Sequence, residues 1–133
     1  MSNVHIKVWG SEEWIVNADY CGKILNLSAG YRCSIHNHKL KDETFLLIEG
    51  LVLLETWQLK NEKLEDYRSK VLDKYDSYRI FPGTPHRFTG ILNSKIIEFS
   101  THHEDSDSYR YSSSEKVPEL EFLKMYVDIM EVE

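Results

Sequence analysis

The sequence predicts an all-β barrel followed by a C-terminal α-helix, and three observations carry that reading. Short strand-like segments alternate with turn signals over most of the chain. Two histidine-bearing stretches, GYRCSIHNHKLKDETFLLIEG from Gly30 to Gly50 and FPGTPH ending at His86, bring three imidazoles and a carboxylate to places where one barrel interior can gather them. The tail from Val117 to Val132 then changes period: Leu120, Leu123, Val127 and Met130 recur at three- and four-residue spacing, which is helical.

Taken in order, the candidate strands are His5–Val8, Trp14–Val16, Gly22–Leu27, Arg32–His38, Thr44–Leu59, Tyr67–Leu72, Ser77–Phe81, His86–Thr89 and Lys95–Thr101. Breaks fall at Trp9–Ser11, Asn17–Tyr20, Ser28–Gly30, Asn61–Asp66, Asp73–Asp76 and Pro82–Pro85. Thr44–Leu59 is too long for one flat strand, so a bend is expected at Glu49–Gly50, where glycine tolerates a corner. His103–Ser114 (HEDSDSYRYSSS) is polar and reads as a loop. Pro118 suits the first turn of the closing helix, which packs on the outside of its own barrel or builds a dimer interface.

Composition sets the outer limits. A chain of 133 residues fits one domain with a real core. Sixteen basic against twenty-two acidic residues give a net charge of −6, which argues against nucleic acid or an anionic membrane as partner. No apolar stretch approaches the ~20 residues a bilayer span needs, and MSNVHIKVWG lacks a secretory apolar region. Cys21 and Cys33 form no Cys-x-x-Cys and read as reduced and structural, in a cytoplasmic protein, with a disulfide as the alternative.

Strand geometry gives the histidines their meaning. Residues i and i+2 of a strand share a face, so His36 and His38 can aim both rings into one cavity, with Arg32 and Ser34 on the same parity. The polar run Lys39–Asp42 bends the chain before Glu43 opens the next strand. His36, His38, Glu43 and His86 together suit one divalent metal, and this donor set does not choose among manganese, zinc, iron, cobalt and nickel. Four protein ligands leave an octahedral ion two open positions, which favours chemistry.

These residues carry a resemblance. Gly30–Gly50 resembles the first motif of the cupin superfamily in its glycine, His-x-His, glutamate and closing glycine, and FPGTPH resembles the second in its glycine and histidine. Three positions depart: the glycine before the second-motif strand is Tyr75, the proline position is Phe81 and the terminal asparagine position is Gly90. The match covers residues 7–104. It implies a cupin β-barrel (a double-stranded β-helix, or jelly roll) over residues 1–114, with the metal near its centre. The helical tail, 115–133, then packs on the barrel or on a dimer partner, and because small cupins are often dimers the resemblance implies a homodimer.

A carboxylate beside a metal-polarised oxygen is what proton abstraction next to a carbonyl needs. Glu98, in the strand Lys95–Thr101, and Lys41, between His38 and Glu43, are the candidate catalytic pair; a cross-strand ion pair and a solvated loop charge are the plainer alternatives. Arg32, Lys23 and His102 are candidate substrate contacts, with structural roles as the alternative for the first two. HNHKLKDE resembles the metal stretch of cupin-type D-lyxose isomerases, and EFSTHHEDSD, which starts at Glu98, is similar to the segment that carries their catalytic glutamate. KVWGSEEWIV is similar to the start of the cupin part of mannose-6-phosphate isomerases. The implied function is aldose–ketose isomerisation of a sugar or sugar phosphate, Glu98 moving the proton and Lys41 assisting. A non-catalytic sugar- or metabolite-binding cupin and an iron-dependent dioxygenase remain as alternatives.

Overall fold

Inward and outward residues alternate most cleanly in β3 (Tyr20–Leu27), where Cys21, Lys23, Leu25 and Leu27 are buried and the residues between them are not. The same period-two pattern buries Glu43, Phe45 and Leu47 of β6 (Glu43–Glu49) and Ser94, Ile96 and Glu98 of β11 (Ser94–Thr101). With β1 (Asn3–Lys7), β2 (Gly10–Asn17) and β9 (Ser77–Ile80), these strands form a six-stranded sheet ordered β1-β2-β3-β11-β6-β9. The computed structural model describes residues 3–131.

A second sheet faces the first. Its order is β12-β5-β10-β4-β13, from β4 (Tyr31–Arg32), β5 (His36–Asn37), β10 (His86–Gly90), β12 (Tyr109–Arg110) and β13 (Glu115–Lys116). β10 also pairs with β7 (Val52–Lys60), which forms a long hairpin with β8 (Lys63–Leu72). All pairings between these strands are antiparallel. Leu25, Leu27, Leu47, Val52, Leu54, Leu72, Ile96 and Phe88 close the core between the sheets, each no more than 4% exposed. The inner face of the first sheet is thus divided. One end is apolar, with Leu25, Leu47 and Ile96; the other carries Lys23, Glu43 and Glu98, and that end positions the site.

The bend expected at Glu49–Gly50 is present: β6 ends at Glu49, β7 starts at Val52, and Gly50 has φ 97°. A side chain there would meet the Ser94 hydroxyl and come within 2.5 Å of Asn93 O, so glycine is required by space as well as by backbone. The predicted break Asn61–Asp66 shrinks to two residues. Asn61 and Glu62 take φ 51° and 62°, the left-handed pair of a tight hairpin, and strand pairing resumes at Lys63. Arg32–His38 is not one strand: β4 and β5 are separated by Cys33–Ile35. The polar stretch read as a loop contributes β12, and β13 extends pairing with β4 beyond the expected boundary at residue 114.

Helix α1 spans Glu119–Met130, and the predicted helix end at Val132 lies outside the described residues. Its relation to the barrel differs from the stripe read in the sequence. Leu120, Leu123, Val127 and Met130 are exposed, whereas Phe122, Met125, Tyr126 and Ile129 are half-buried. Phe122 lies over Gly30, and Glu121 pairs with Arg32. No helix among the described residues is long and apolar enough to cross a membrane.

Candidate metal centre

His36 and His86 face each other across the β5–β10 pair, and the ligating nitrogens of His36, His38 and His86 lie within 4.8 Å of one another. Backbone carbonyls fix each ring. Nδ1 of His36 donates to Ser34 O at 2.8 Å, Nδ1 of His86 to Thr84 O at 2.9 Å, and Nδ1 of His38 to Asp107 O at 3.1 Å. A carbonyl only accepts, so the proton sits on Nδ1 in all three and Nε2 is left as a lone-pair donor. Burial first, then the neighbouring imidazoles, holds His36 well below its ordinary pKa. Burial also brings His38 down to about 4, against an opposing pull from Glu43. Both are therefore neutral at pH 7, the form that binds a metal.

Glu43 completes the group. Its Oε2 stands 3.4 Å from His38 Nε2 and 3.3 Å from His86 Nε2. With the protons on Nδ1, these contacts set acceptor against acceptor, and Glu43 Oε2 and His86 Nε2 are both buried without a hydrogen-bond partner. A shared cation resolves that conflict. Three imidazoles and one carboxylate fit a divalent transition metal, which His36, His38, Glu43 and His86 would hold.

The cavity in front of this group measures about 100 Å³, and its walls include Lys23, Lys41, Glu98 and His103. Lys41 Nζ lies 3.5 Å from Glu43 Oε1, 3.2 Å from Glu98 Oε2 and 3.0 Å from His103 Nδ1. His103 in turn donates from Nε2 to Asp105 at 2.9 Å. Burial lowers the Lys41 pKa, but Glu43 and Glu98 outweigh it and keep the ammonium charged. Burial, reinforced by Glu43, raises Glu98 above the usual carboxylate range.

Lys41 and Glu98 thus meet the histidines in one cavity, and so does Lys23, which is 2% exposed, donates to Glu12 Oε1 at 3.2 Å and lies over the Trp14 ring at 4.4 Å. Two other candidates are elsewhere. Arg32 pairs with Glu115 at 2.9 Å and with Glu121, fastening the tail to the second sheet, so it is a structural tether here. Strand parity with His36 failed because Cys33–Ile35 leave the strand between them. His102 follows the end of β11 and turns away, its Nδ1 on Ala18 O at 2.7 Å; His103 takes the cavity wall. Sequence reasoning also missed Asp107, which lies 6% exposed and binds the amides of Lys39, Leu40 and Lys41. The acidic run before it was visible, but its inward turn was not. Cys33 is buried, its thiol pushed up to about 12 by burial, and it accepts from Phe88 N at 3.3 Å; Cys21 is likewise free.

Neither a family model nor a curated protein sequence matches the chain. Solved structures do. CapF from Staphylococcus aureus, a capsular polysaccharide assembling protein, superposes with a TM-score of 0.73 at 16% identity, over 84% of this chain and 32% of that one. Oxalate decarboxylase from Lactobacillus farciminis in its formate complex gives 0.69 at 15% identity, over 83% and 34%. The Bacillus subtilis oxalate decarboxylase at pH 4.6 gives 0.70 at 12%, over 83% and 30%. The fold is the cupin barrel. This chain spans about a third of the length of the proteins it superposes on, and at these identities the likeness extends to the fold alone.

Proposed function

We propose that this protein is a metal-dependent aldose–ketose isomerase acting on a sugar or sugar phosphate. The supporting observation is the chain Glu43–Lys41–Glu98, in which one buried ammonium touches both a carboxylate of the metal group and a second buried carboxylate on the same cavity wall. Isomerisation moves one proton between neighbouring carbons and one between their oxygens. A bound divalent ion would supply Lewis acidity at those oxygens.

Glu98 is suited to the carbon-bound proton. Its raised pKa makes it a stronger base than an ordinary carboxylate, and its rigid seat on β11 keeps it in place for both the removal and the return. Ser100 Oγ and Lys41 Nζ both donate to Oε2, at 2.9 and 3.2 Å, and Oε1 has no hydrogen-bond donor among the described residues. Oε1 is the oxygen that faces the proton transfer in this reading. Lys41 opposes the negative charge that develops on the substrate oxygen as the C–H bond breaks. The resemblance of HNHKLKDE and EFSTHHEDSD to the isomerase stretches points the same way.

The test is solvent deuterium incorporation, read by mass spectrometry, with metal-loaded protein and a panel of aldoses, ketoses and their phosphates. One of them gains deuterium at C1 or C2, and Glu98→Gln slows this at least ~100-fold with metal content unchanged. Undiminished exchange in Glu98→Gln removes Glu98 from the mechanism. Binding without exchange for the whole panel leaves a metabolite-binding cupin.

A further inference from the structure

Among the described residues, one cation on the cavity wall lacks a counter-ion. Lys7 and Lys23 pair with Glu12, at 3.9 and 3.2 Å, and Lys41 pairs with Glu43 and Glu98. Arg110 lines the same cavity and makes no ion pair or side-chain hydrogen bond among the described residues. Its position is set by register. Arg110 of β12 lies opposite His36 of β5, and His36 lies opposite His86 of β10. Opposed residues on antiparallel strands share a face, with Cβ atoms about 4.5–5.5 Å apart. The guanidinium therefore stands one strand from a histidine of the metal group, on the histidine side of the sheet, at the solvent end of the cavity.

Charge argues for what it meets. The four cationic side chains of the wall are matched by four carboxylates, Glu12, Glu43, Glu98 and Asp105. A divalent ion on the histidines would add two positive charges to that balance. A neutral sugar leaves the excess uncompensated, whereas an anionic one offsets it. A planar guanidinium with a free fork is the side chain best matched to a phosphate or carboxylate.

We infer that Arg110 is a specificity-determining residue that binds the oxyanion group of a phosphorylated or carboxylated sugar whose reacting end lies at the metal group. This deepens the isomerase reading and rests on its assignment of a sugar to the cavity.

The experiment is calorimetric titration of metal-loaded protein with D-fructose 6-phosphate against D-fructose, and D-glucuronate against D-glucose. One charged sugar binds at least tenfold more tightly than its neutral parent, and the pair that shows it separates phosphate from carboxylate. Arg110→Gln abolishes the preference without loss of metal, and Arg110→Lys restores part of it. Arg68→Gln keeps it: Arg68 sits opposite Thr56 on the β7–β8 hairpin, away from this cavity. Equal affinity for charged and neutral sugars in both pairs overturns the inference, as does failure of both charged sugars to bind, or a preference that survives in Arg110→Gln. Charged-sugar preference without isomerisation sinks the isomerase reading and leaves this inference standing; isomerisation without preference does the reverse.

Discussion

The Asp107 carboxylate accepts the amide hydrogens of Lys39, Leu40 and Lys41, at 2.9 to 3.2 Å, while its own backbone carbonyl receives His38 Nδ1–H. One residue therefore fixes both the turn that carries Lys41 and the ring of a metal-group histidine. Cutting the carboxylate away leaves the buried Lys41 amide and the part-buried amides of Lys39 and Leu40 without these partners, at about 1–3 kcal/mol for a buried unsatisfied group. Asp107→Ala is expected to lose about 2–4 kcal/mol of stability in urea unfolding. Metal affinity, followed by competition with a chelating dye, falls by up to about 10–100-fold, because the carbonyl that holds His38 remains but loses the turn that positions it. Unchanged affinity in a folded Asp107→Ala would detach the loop from the metal group. The three Nδ1 contacts belong to the same scale: they make the tautomer a property of the backbone, independent of pH-sensitive neighbours.

At the scale of elements, turns decide where the site residues arrive. Tyr75 occupies the position where the resemblance expects glycine, and it adopts φ 70°. Its N–H reaches Leu47 O at 2.7 Å, so the position takes a backbone suited to glycine while carrying a side chain. A side chain in the left-handed region costs about 1–2 kcal/mol, and Tyr75 recovers little by packing because it is 67% exposed. Tyr75→Gly should therefore raise stability by about 1 kcal/mol, read as a higher thermal midpoint. A lower midpoint would mean that the exposed ring, stacked near Lys74 at 5.1 Å, contributes more than the strain removes. The helix shows a different limit. Apolar residues lie on both sides of α1, so periodicity could not choose between the Leu120 stripe and the half-buried side with Phe122 and Tyr126. β12 and β13 are two residues each, too short to carry a period at all.

At the scale of the whole molecule, the barrel and its metal group were legible because both rest on strand parity and glycine-bounded turns. His36 and His38 share a face, Glu43 opens β6, and FPGTPH delivers His86. Lys41 and Glu98 were also readable, one by proximity in the chain and the other by its inward parity on β11. Arg32 was misplaced where the chain left the strand, and Arg110 was hidden in a serine-rich stretch whose pairing with β5 is long-range. The pattern is physical: local periodicity sets which way a side chain points, while pairing between distant segments sets which cavity it reaches. The barrel that results has an apolar end and a charged end that carries the candidate metal site, with Phe45 and Phe88 between them at 5.9 Å.

The proposed chemistry needs a metal, which His36, His38, Glu43 and His86 would hold. The most direct test is the metal content of purified, untagged protein by plasma mass spectrometry, alongside His38→Ala. About one equivalent of a divalent transition metal per chain is expected in the native protein, and substantially none in the variant, because loss of one of four donors leaves Glu43 charged and underfilled. A native chain that takes up no ion after repletion with manganese, zinc, iron, cobalt or nickel would contradict the account, as would full occupancy in His38→Ala.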